Sequence, residues 1–192
     1  MTYLVINPFW TIPREEAVNT FLPQLQEDAN LVSEKKIRVF SGATEISPFA
    51  IDWKNYSETN FPFRLRQDPG PENERGQIEF EFPNEFGINL HDTAAKALFE
   101  RSSRTFGDGK LLLENPFDLA DILISAQGWT REKIDEIIAS NTKRIIKLTN
   151  PVPVHITYLT AWTNKDGSMQ FRRDIYERDR ILSAALKRYL PN

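Results

Sequence analysis

The chain has 192 residues, of which 27% are charged and 40% are apolar, and its formal net charge is −3. This balance predicts one soluble globular domain with a sizeable core, and the weak negative charge argues against a nucleic-acid-binding surface. Two histidines and no cysteine leave few ordinary zinc ligands, so we expect neither a metal nor a cofactor.

Neither a membrane span nor a signal peptide is indicated. No run approaches the ~20 apolar residues that a transmembrane helix needs, and the first residues lack the basic and apolar pattern of a secretory signal. The absence of cysteine fits an exported protein as well as a cytosolic one. We therefore expect a molecule without a membrane span.

The N-terminal half alternates between strands and a helical segment. Residues Tyr3 to Asn7 are β-branched and aromatic and predict a strand. Residues Pro13 to Asp28 carry apolar side chains at a spacing of three and four, which predicts a helix that Pro23 kinks or divides. Further strands are predicted at Lys36 to Phe40 and, from strict alternation, at Gln77 to Phe82.

The central stretch of the chain, residues 88–116, predicts two strand ends that meet. A short strand ends at His91, and Asp92-Thr93 then resembles the cap of a helix. A turn at residues 107–109, Gly-Asp-Gly, precedes a second predicted strand from Lys110 to Glu114. We expect this arrangement to bring His91 and Lys110 together.

The C-terminal part adds helices and a hairpin. The patterns predict helices from Asn115 to Gln127 and from Thr130 to Ala139, a strand from Lys143 to Leu148, paired strands at 154–163 and 169–176, and a terminal helix at 178–190. Together with the earlier elements they predict an α+β fold with a mainly antiparallel core, flanking helices and an αβ insertion.

Several motifs give the chain a family resemblance. It has H-D-T at 91–93, L-F-E-R at 98–101, E-N-P at 114–116 and P-G-P at 69–71. With these motifs in register the chain resembles the YkuD-type L,D-transpeptidases, cysteine enzymes that cross-link peptidoglycan, and among them the large-lid envelope form. The resemblance implies a single domain over residues 1–192 with a lid subdomain at about 13–75, a periplasmic location and no cofactor.

The catalytic cysteine of that family is absent. The family has S-H-G-C followed by a branched residue and arginine, whereas this chain has G-D-G-K-L-L at 107–112, so Lys110 stands in the place of the cysteine. An amine with an ordinary pKa of about 10.4 is protonated at pH 7 and is no nucleophile. We therefore expect transpeptidase chemistry to be lost.

The resemblance also implies site residues. The catalytic set would be His91, Asp108 and Lys110, and the substrate-binding set would be Trp10, Arg64, Asp92, Thr93 and Gly109. Structural explanations stay open beside these roles. Gly-Asp-Gly-Lys is ordinary hairpin-turn chemistry, His91 could be a relic held by its cap, and Trp10 could be a core aromatic. His155, inside an alternating strand, is expected to be structural.

Three hypotheses about function follow. The first is a catalytically inactive module, a pseudoenzyme, that binds a peptidoglycan stem peptide or a protein partner. The second is a structural half-domain completed by strands of another chain or by a homo-oligomer, because the chain starts at Met1 and appears N-terminally truncated relative to the family. The third is a peptidoglycan transpeptidase or carboxypeptidase-like enzyme with altered catalytic residues.

Overall fold

The computed structural model describes residues 1–106 and 110–188 of the chain. The chain divides into two compact units, residues 1–153 and 154–192. The first unit contains two sheets and five α-helices among its described residues, and the second contains a hairpin and one α-helix. In the part of the chain that is described, no helix is long and apolar enough to cross a bilayer.

The strands are β1 (Tyr3–Ile6), β2 (Trp10–Thr11), β3 (Ile37–Ser41), β4 (Thr44–Ile46), β5 (Phe63–Gln67), β6 (Ile78–Glu81), β7 (Leu90–His91), β8 (Leu111–Leu112), β9 (Arg144–Lys147), β10 (Ala161–Thr163) and β11 (Met169–Phe171). The α-helices are α1 (Arg14–Glu16), α2 (Leu22–Glu27), α3 (Leu31–Glu34), α4 (Pro116–Ile124), α5 (Arg131–Ala139) and α6 (Arg178–Leu186). A π-helix spans Ala17–Phe21, and 3₁₀ helices span Pro48–Ala50, Trp53–Asn55, Lys96–Glu100 and Ser125–Gln127.

The five-stranded sheet forms the base of the first unit. Its order is β8-β7-β6-β1-β9, and every pairing is antiparallel except β7 with β8. At its centre Leu4 lies opposite Phe80 and Ile6 lies opposite Ile78, and all four side chains are fully buried. Burial of each side chain of this size stabilises the fold by about 1.5–3 kcal/mol. Mainly antiparallel sheets with a few helices confirm the predicted α+β fold class.

A second layer lies in the chain between β1 and β6. It combines the antiparallel sheet β2-β5-β3-β4 with α1, α2 and α3. Trp10, Val39 and Leu65 from the sheet share one apolar core with Phe21 and Leu25 from the helical segment. This layer covers most of the insertion predicted at 13–75, and its role as a lid stays a prediction.

Pro23 does not divide the predicted helix. The helical segment is continuous across the proline, but its type changes from α to π and back to α. The segment runs from α1 through the π-helix Ala17–Phe21 into α2, and the N–H of Leu22 bonds the carbonyl of Ala17. Proline lacks the N–H that an α-helix needs. The wider π turn lies just before the proline, and π-bulges of this kind are one of the recognised ways in which a helix bends.

The helix predicted after Asp92-Thr93 was wrong: the Asp92 carboxylate is bound by a distant N–H, and the Thr93 hydroxyl caps only a local turn. Asp92 accepts from the Gln77 N–H and from Lys96, and the Thr93 hydroxyl accepts from the Ala95 N–H. The chain instead forms the short 3₁₀ helix Lys96–Glu100.

The strand predicted at 110–114 is only Leu111–Leu112, and the hairpin strands predicted at 154–163 and 169–176 are three residues each. The terminal helix ends at Leu186. Residues 189 and 190 of that prediction lie outside the described residues.

Asn7 joins the end of β1 to the end of α5. Its backbone has a φ of +52°, which asparagine tolerates, and its side chain is 2% exposed. The amide Nδ2 donates to the carbonyls of Ile137, at 2.7 Å, and of Ile138 and Thr142, both at 3.3 Å. One side chain thus adds a donor to two carbonyls of the last turn of α5, which also accept from Ser140 and Asn141, and reaches the carbonyl of Thr142 beyond the helix.

Replacing Asn7 with aspartate should lower the free energy of unfolding by at least about 2 kcal/mol, because a buried carboxylate would face three carbonyl oxygens with no hydrogen to share between them. Urea denaturation measures the change. Asn141→Asp is the matched control, since Asn141 has a φ of +51° and is exposed; it should cost no more than about 1 kcal/mol. Equal losses for both variants would contradict the role of the Asn7 amide.

Candidate functional site

The candidate site lies where the ends of β7 and β8 meet. The two strands pair in parallel, with Leu90 opposite Leu111 and His91 opposite Leu112. His91 and Lys110, the residue before β8, line one cavity of about 130 Å³. The structure therefore brings together the two strand-end residues that the sequence predicted to meet.

A second cavity, of about 310 Å³, continues from the first. The two cavities share Leu98, Phe106, Lys110 and Leu112 in their walls, and together they are termed the Lys110 groove. Three of these shared residues are apolar, and Lys110 supplies a positive charge. The groove thus combines an apolar wall with a cation, a combination that binding sites for small ligands commonly have.

His91 is buried in the wall of this groove, with 1% of its surface exposed. Its Nδ1 contacts the backbone carbonyl of Asp92. Because a carbonyl oxygen only accepts, Nδ1 is assigned the proton and Nε2 keeps its lone pair. The buried Nε2 has no hydrogen-bond partner in the described part of the chain. One tautomer is therefore favoured, and its acceptor nitrogen is unused.

Burial lowers the pKa of His91. The positive charges of Arg75 and Lys110 lower it further, while the carbonyl and the carboxylate of Asp92 act in the opposite direction. A lowered pKa keeps the imidazole neutral at pH 7, since even an unperturbed histidine has a pKa of about 6.5. His91 is therefore able to accept a proton or a hydrogen bond through Nε2.

Lys110 lies over the ring of Trp10. Its Nζ is 5.3 Å from the centroid of the indole, and this ring packs edge-on against Phe21 with 6.0 Å between centroids. A cation over a tryptophan face gains about 0.5–2 kcal/mol, depending on how far it is desolvated. Trp10, predicted as a substrate-binding residue, thus supports the ammonium group and belongs to the core of the second layer.

Asp92 connects three segments around the groove. Its Oδ2 accepts from the N–H of Gln77 at 2.9 Å, and its Oδ1 accepts from Lys96 Nζ at 2.6 Å. Lys96 Nζ also donates to the carbonyl of Glu114 at 2.9 Å. The loop before β6, the segment after β7 and the segment after β8 are therefore held by one carboxylate and one ammonium.

Glu79 is a buried carboxylate that the sequence did not single out. It lies opposite His91 in the pairing of β6 with β7, and it is 6% exposed. The guanidinium of Arg75 and the amide of Asn89 both contact its Oε1. Every second residue of β6 is polar, which predicts a solvent-facing side, so the sequence pattern gave no signal for this burial.

Of the other predicted site residues, one lines the groove, one lies away from it and two are not described. Thr93 lines the groove. Arg64 lines neither of its two cavities, and its guanidinium lies 4.5 Å above the ring of Phe40 in the second layer. Asp108 and Gly109 lie outside the described residues. Within residues 1–106 and 110–188, no group of three or more potential metal ligands is found.

The chain is similar to a protein of Haemophilus influenzae named "Putative L,D-transpeptidase". The two are 30% identical over 197 aligned residues, which cover 99% of this chain and 40% of that protein. The chain therefore spans about 40% of the length of the curated relative that it matches. No protein-family model matches the chain. The similarity over nearly the whole chain supports the L,D-transpeptidase family, and the α+β architecture is consistent with a fold of that type.

Gly76→Ala should destabilise the protein more than Gly87→Ala. Both glycines have a positive φ, +62° and +64°, so both variants pay about 1–2 kcal/mol for a left-handed alanine. A Cβ at Gly76 would also clash with the side chain of Asp92, whereas a Cβ at Gly87 would meet no described atom within 4 Å. We expect an additional loss of about 1–3 kcal/mol for Gly76→Ala, measured by urea denaturation. Equal losses would mean that Asp92 moves aside without cost.

The stability of the protein should fall below pH 7 in a way that depends on His91. Because the folded pKa of His91 lies below the unfolded value of about 6.5, the unfolded chain binds the proton first. Neutral His91 therefore contributes fully to the free energy of unfolding above the unfolded pKa of about 6.5. This contribution is lost as the pH falls from there through the lower, folded pKa.

Urea unfolding should be measured for the wild type and for His91→Gln from pH 7 downwards. The free energy of unfolding should fall less with pH in the variant than in the wild type. His155→Gln, which alters an exposed ring, should follow the wild type. Parallel curves for all three proteins would contradict the burial effect.

Proposed function

We propose that this chain is an L,D-transpeptidase-like pseudoenzyme of peptidoglycan metabolism. In this proposal it belongs to that family, works in the periplasm and binds a stem peptide or a protein partner in the Lys110 groove without a covalent step. The relative from Haemophilus influenzae supports the peptidoglycan assignment, because L,D-transpeptidases act on the cell wall.

The observation that carries the proposal is that His91, the residue in the place of the family's base, lines the same cavity as Lys110, the residue in the place of the family's cysteine. Burial lowers the pKa of His91, its tautomer is favoured by the Asp92 carbonyl, and its Nε2 has no partner among the residues that the structure describes. Lys110 stands where the family has its cysteine, and the two side chains line the same cavity. A protonated amine has no lone pair with which to attack a carbonyl carbon, and a deprotonated one would form an amide that does not turn over.

The hydrogen bonds around the groove support a binding role without transpeptidase activity. The carboxylate of Asp92 retains both of its partners, and Lys96 ties the exit of β8 to the same network. Leu98, Phe106 and Leu112 keep an apolar wall beside Lys110.

Incubation with disaccharide-tetrapeptide muropeptides, followed by mass spectrometry of protein and products, tests the proposal. Wild type should give neither adduct nor product, and Lys110→Cys should form an acyl adduct because His91 can deprotonate the thiol. Adding His91→Ala to that variant should slow adduct formation about 10²–10⁴-fold, the usual contribution of a general base. Binding of the muropeptide to wild type is measured in parallel by calorimetry.

Two results would count against this function. A product formed by wild type and abolished in Lys110→Ala would show an enzyme with altered chemistry. No binding by wild type together with no adduct on Lys110→Cys would show that the groove does not receive a stem peptide.

A further inference from the structure

Another cavity lies between α5 and the start of β9, and it shares no described residue with the Lys110 groove. Its volume is about 470 Å³, within the range of about 300–1,000 Å³ that small-molecule sites commonly have. The ring of Trp129 forms part of its wall, together with three cations, Lys133, Lys143 and Arg144, and one carboxylate, Glu136. The cavity therefore combines an apolar ring with an excess of positive charge.

Hydrogen bonds from buried and polar side chains hold the walls of this cavity in place. Asn7, which is 2% exposed, donates to the carbonyls of Ile137 at 2.7 Å and of Thr142 at 3.3 Å, and both of these residues line the cavity. Lys133 Nζ donates to the carbonyl of Gly128 at 2.7 Å, directly before the tryptophan. A ligand would thus meet walls that are already formed, which lowers the entropic cost of binding.

The positive charge of the cavity is not explained by the rest of the chain, whose formal net charge is −3. Lys133 lies in the first turn of α5, where the helix dipole disfavours a cation. Lys143 and Arg144 come from the segment after that helix and from the first position of β9. Within residues 1–106 and 110–188, neither of these two has a carboxylate partner. Two cations without partners at one cavity attract an anion.

The number and type of these cations favour a phosphate monoester over a carboxylate. A phosphate monoester carries a charge of about −1.5 to −2 at pH 7 and three strong acceptor oxygens, whereas a carboxylate carries a single charge. The planar guanidinium of Arg144 can donate two parallel N–H bonds to such a group, and the ammonium of Lys143 supplies a second, compact charge.

The remaining polar groups require hydrogen-bond donors on the ligand. The Thr142 hydroxyl donates its hydrogen to the carbonyl of Ser140 at 3.3 Å, so its oxygen can only accept further bonds. The carboxylate of Glu136 is an acceptor as well, and no ion pair to it is found in the part of the chain that the structure describes. Ligand hydroxyls next to the phosphate would satisfy both groups.

The indole of Trp129 adds an apolar surface beside the cations. The guanidinium of Arg144 lies 6.0 Å from the centroid of this ring, so the ring and one cation are adjacent. The ligand therefore needs a phosphate, hydroxyl donors and an apolar face within one small molecule. A hydroxylated ring has C–H groups on its face and hydroxyls at its rim, and one phosphate on that ring completes the set.

We propose that the cavity between α5 and β9 binds a phosphate monoester on a hydroxylated ring, as in a sugar phosphate. The phosphate lies at Lys143 and Arg144, and ring hydroxyls donate to Glu136. The C–H face of the ring contacts Trp129, and Lys133 adds further positive charge. This site goes beyond the proposed function and does not depend on it.

Calorimetric titration of the full chain tests the proposal. The probes are glucose phosphorylated at its first or its sixth carbon, glucose itself and inorganic phosphate. At least one of the two sugar phosphates should bind at least about tenfold more tightly than glucose and than inorganic phosphate, because only it engages the cations and the ring together. Equal affinity for the sugar phosphates and for inorganic phosphate would overturn the proposal, since any basic surface would give that result.

Variants assign the contacts to their residues. Arg144→Met should weaken binding of the preferred sugar phosphate at least about tenfold. Trp129→Leu should remove the advantage of the sugar phosphate over inorganic phosphate. Lys147→Met is the matched control, because Lys147 is an exposed cation of the same strand that does not line the cavity. A loss in Lys147→Met as large as that in Arg144→Met would overturn the assignment, and the probe comparison on wild type decides even where a variant fails to fold.

A phosphate on a hydroxylated ring occurs both on free sugars and on lipid headgroups. Sedimentation with phosphatidylcholine vesicles, prepared with and without phosphatidylinositol monophosphate, separates these two sources. Tighter binding to the phosphorylated vesicles than to the soluble probes would assign the ligand to a membrane surface, and binding to the soluble probes alone would assign it to a free sugar phosphate. Binding to neither would overturn the proposal, whatever the muropeptides show at the Lys110 groove.

Discussion

The frame of the groove depends on one ion pair, between the buried carboxylate of Asp92 and the half-exposed ammonium of Lys96. The side chain of Asp92 is 6% exposed and that of Lys96 is 48% exposed, so the carboxylate has lost its water while the ammonium keeps part of its own. Such a pair stabilises a fold only when further hydrogen bonds satisfy the buried charge. Here the N–H of Gln77 does so, and it can approach because the preceding residue, Gly76, has no side chain. Together with the backbone bonds from the Leu111 N–H to the carbonyl of Asn89 and from the Leu113 N–H to the carbonyl of His91, this arrangement fixes the exit of β8 beside β7.

The loop that carries Gly76 is itself held by two buried amide side chains. Gln67 donates to the carbonyl of Glu72 at 2.9 Å and accepts from the N–H of Glu74 at 3.0 Å. Asn73 donates to the carbonyl of Pro8 at 3.1 Å. The prolines and glycines keep this loop out of any helix or strand, so its backbone groups need other partners, and these side chains supply them. They also connect β5 of the second layer to the wall of the groove, so the site is built on both layers of the first unit.

The sequence predicted those features that depend on short-range pattern. The strands β1, β3, β6 and β9, the fold class and the meeting of His91 with Lys110 followed from alternation, turn residues and the family resemblance, whereas β2, β4 and β5 were not predicted. The helix after Asp92 was predicted wrongly because a cap pattern does not reveal that a side chain is used by a distant N–H. The burial of Glu79 escaped for a related reason, since its cover comes from Arg75 and Asn89, and alternation identifies only which face a residue occupies. Tertiary partners decide such cases.

Strand β9, one of the two edge strands of the five-stranded sheet, bears on whether the chain recognises a ligand in the groove or pairs with a strand of a partner. An uncovered edge strand invites pairing with another chain. At β9, however, the amide of Gln127 donates to the carbonyl of Lys147 at 3.0 Å and accepts from the N–H of Thr149 at 2.7 Å. A side chain thus occupies backbone groups that an added strand would need, and an incoming strand would first have to displace it. Strand pairing through β9 stays a prediction, and an added strand would have to break the two Gln127 hydrogen bonds first. A ligand in the Lys110 groove instead gains a hydrogen bond by satisfying His91 Nε2, and this difference favours the groove as the place where the chain recognises its partner.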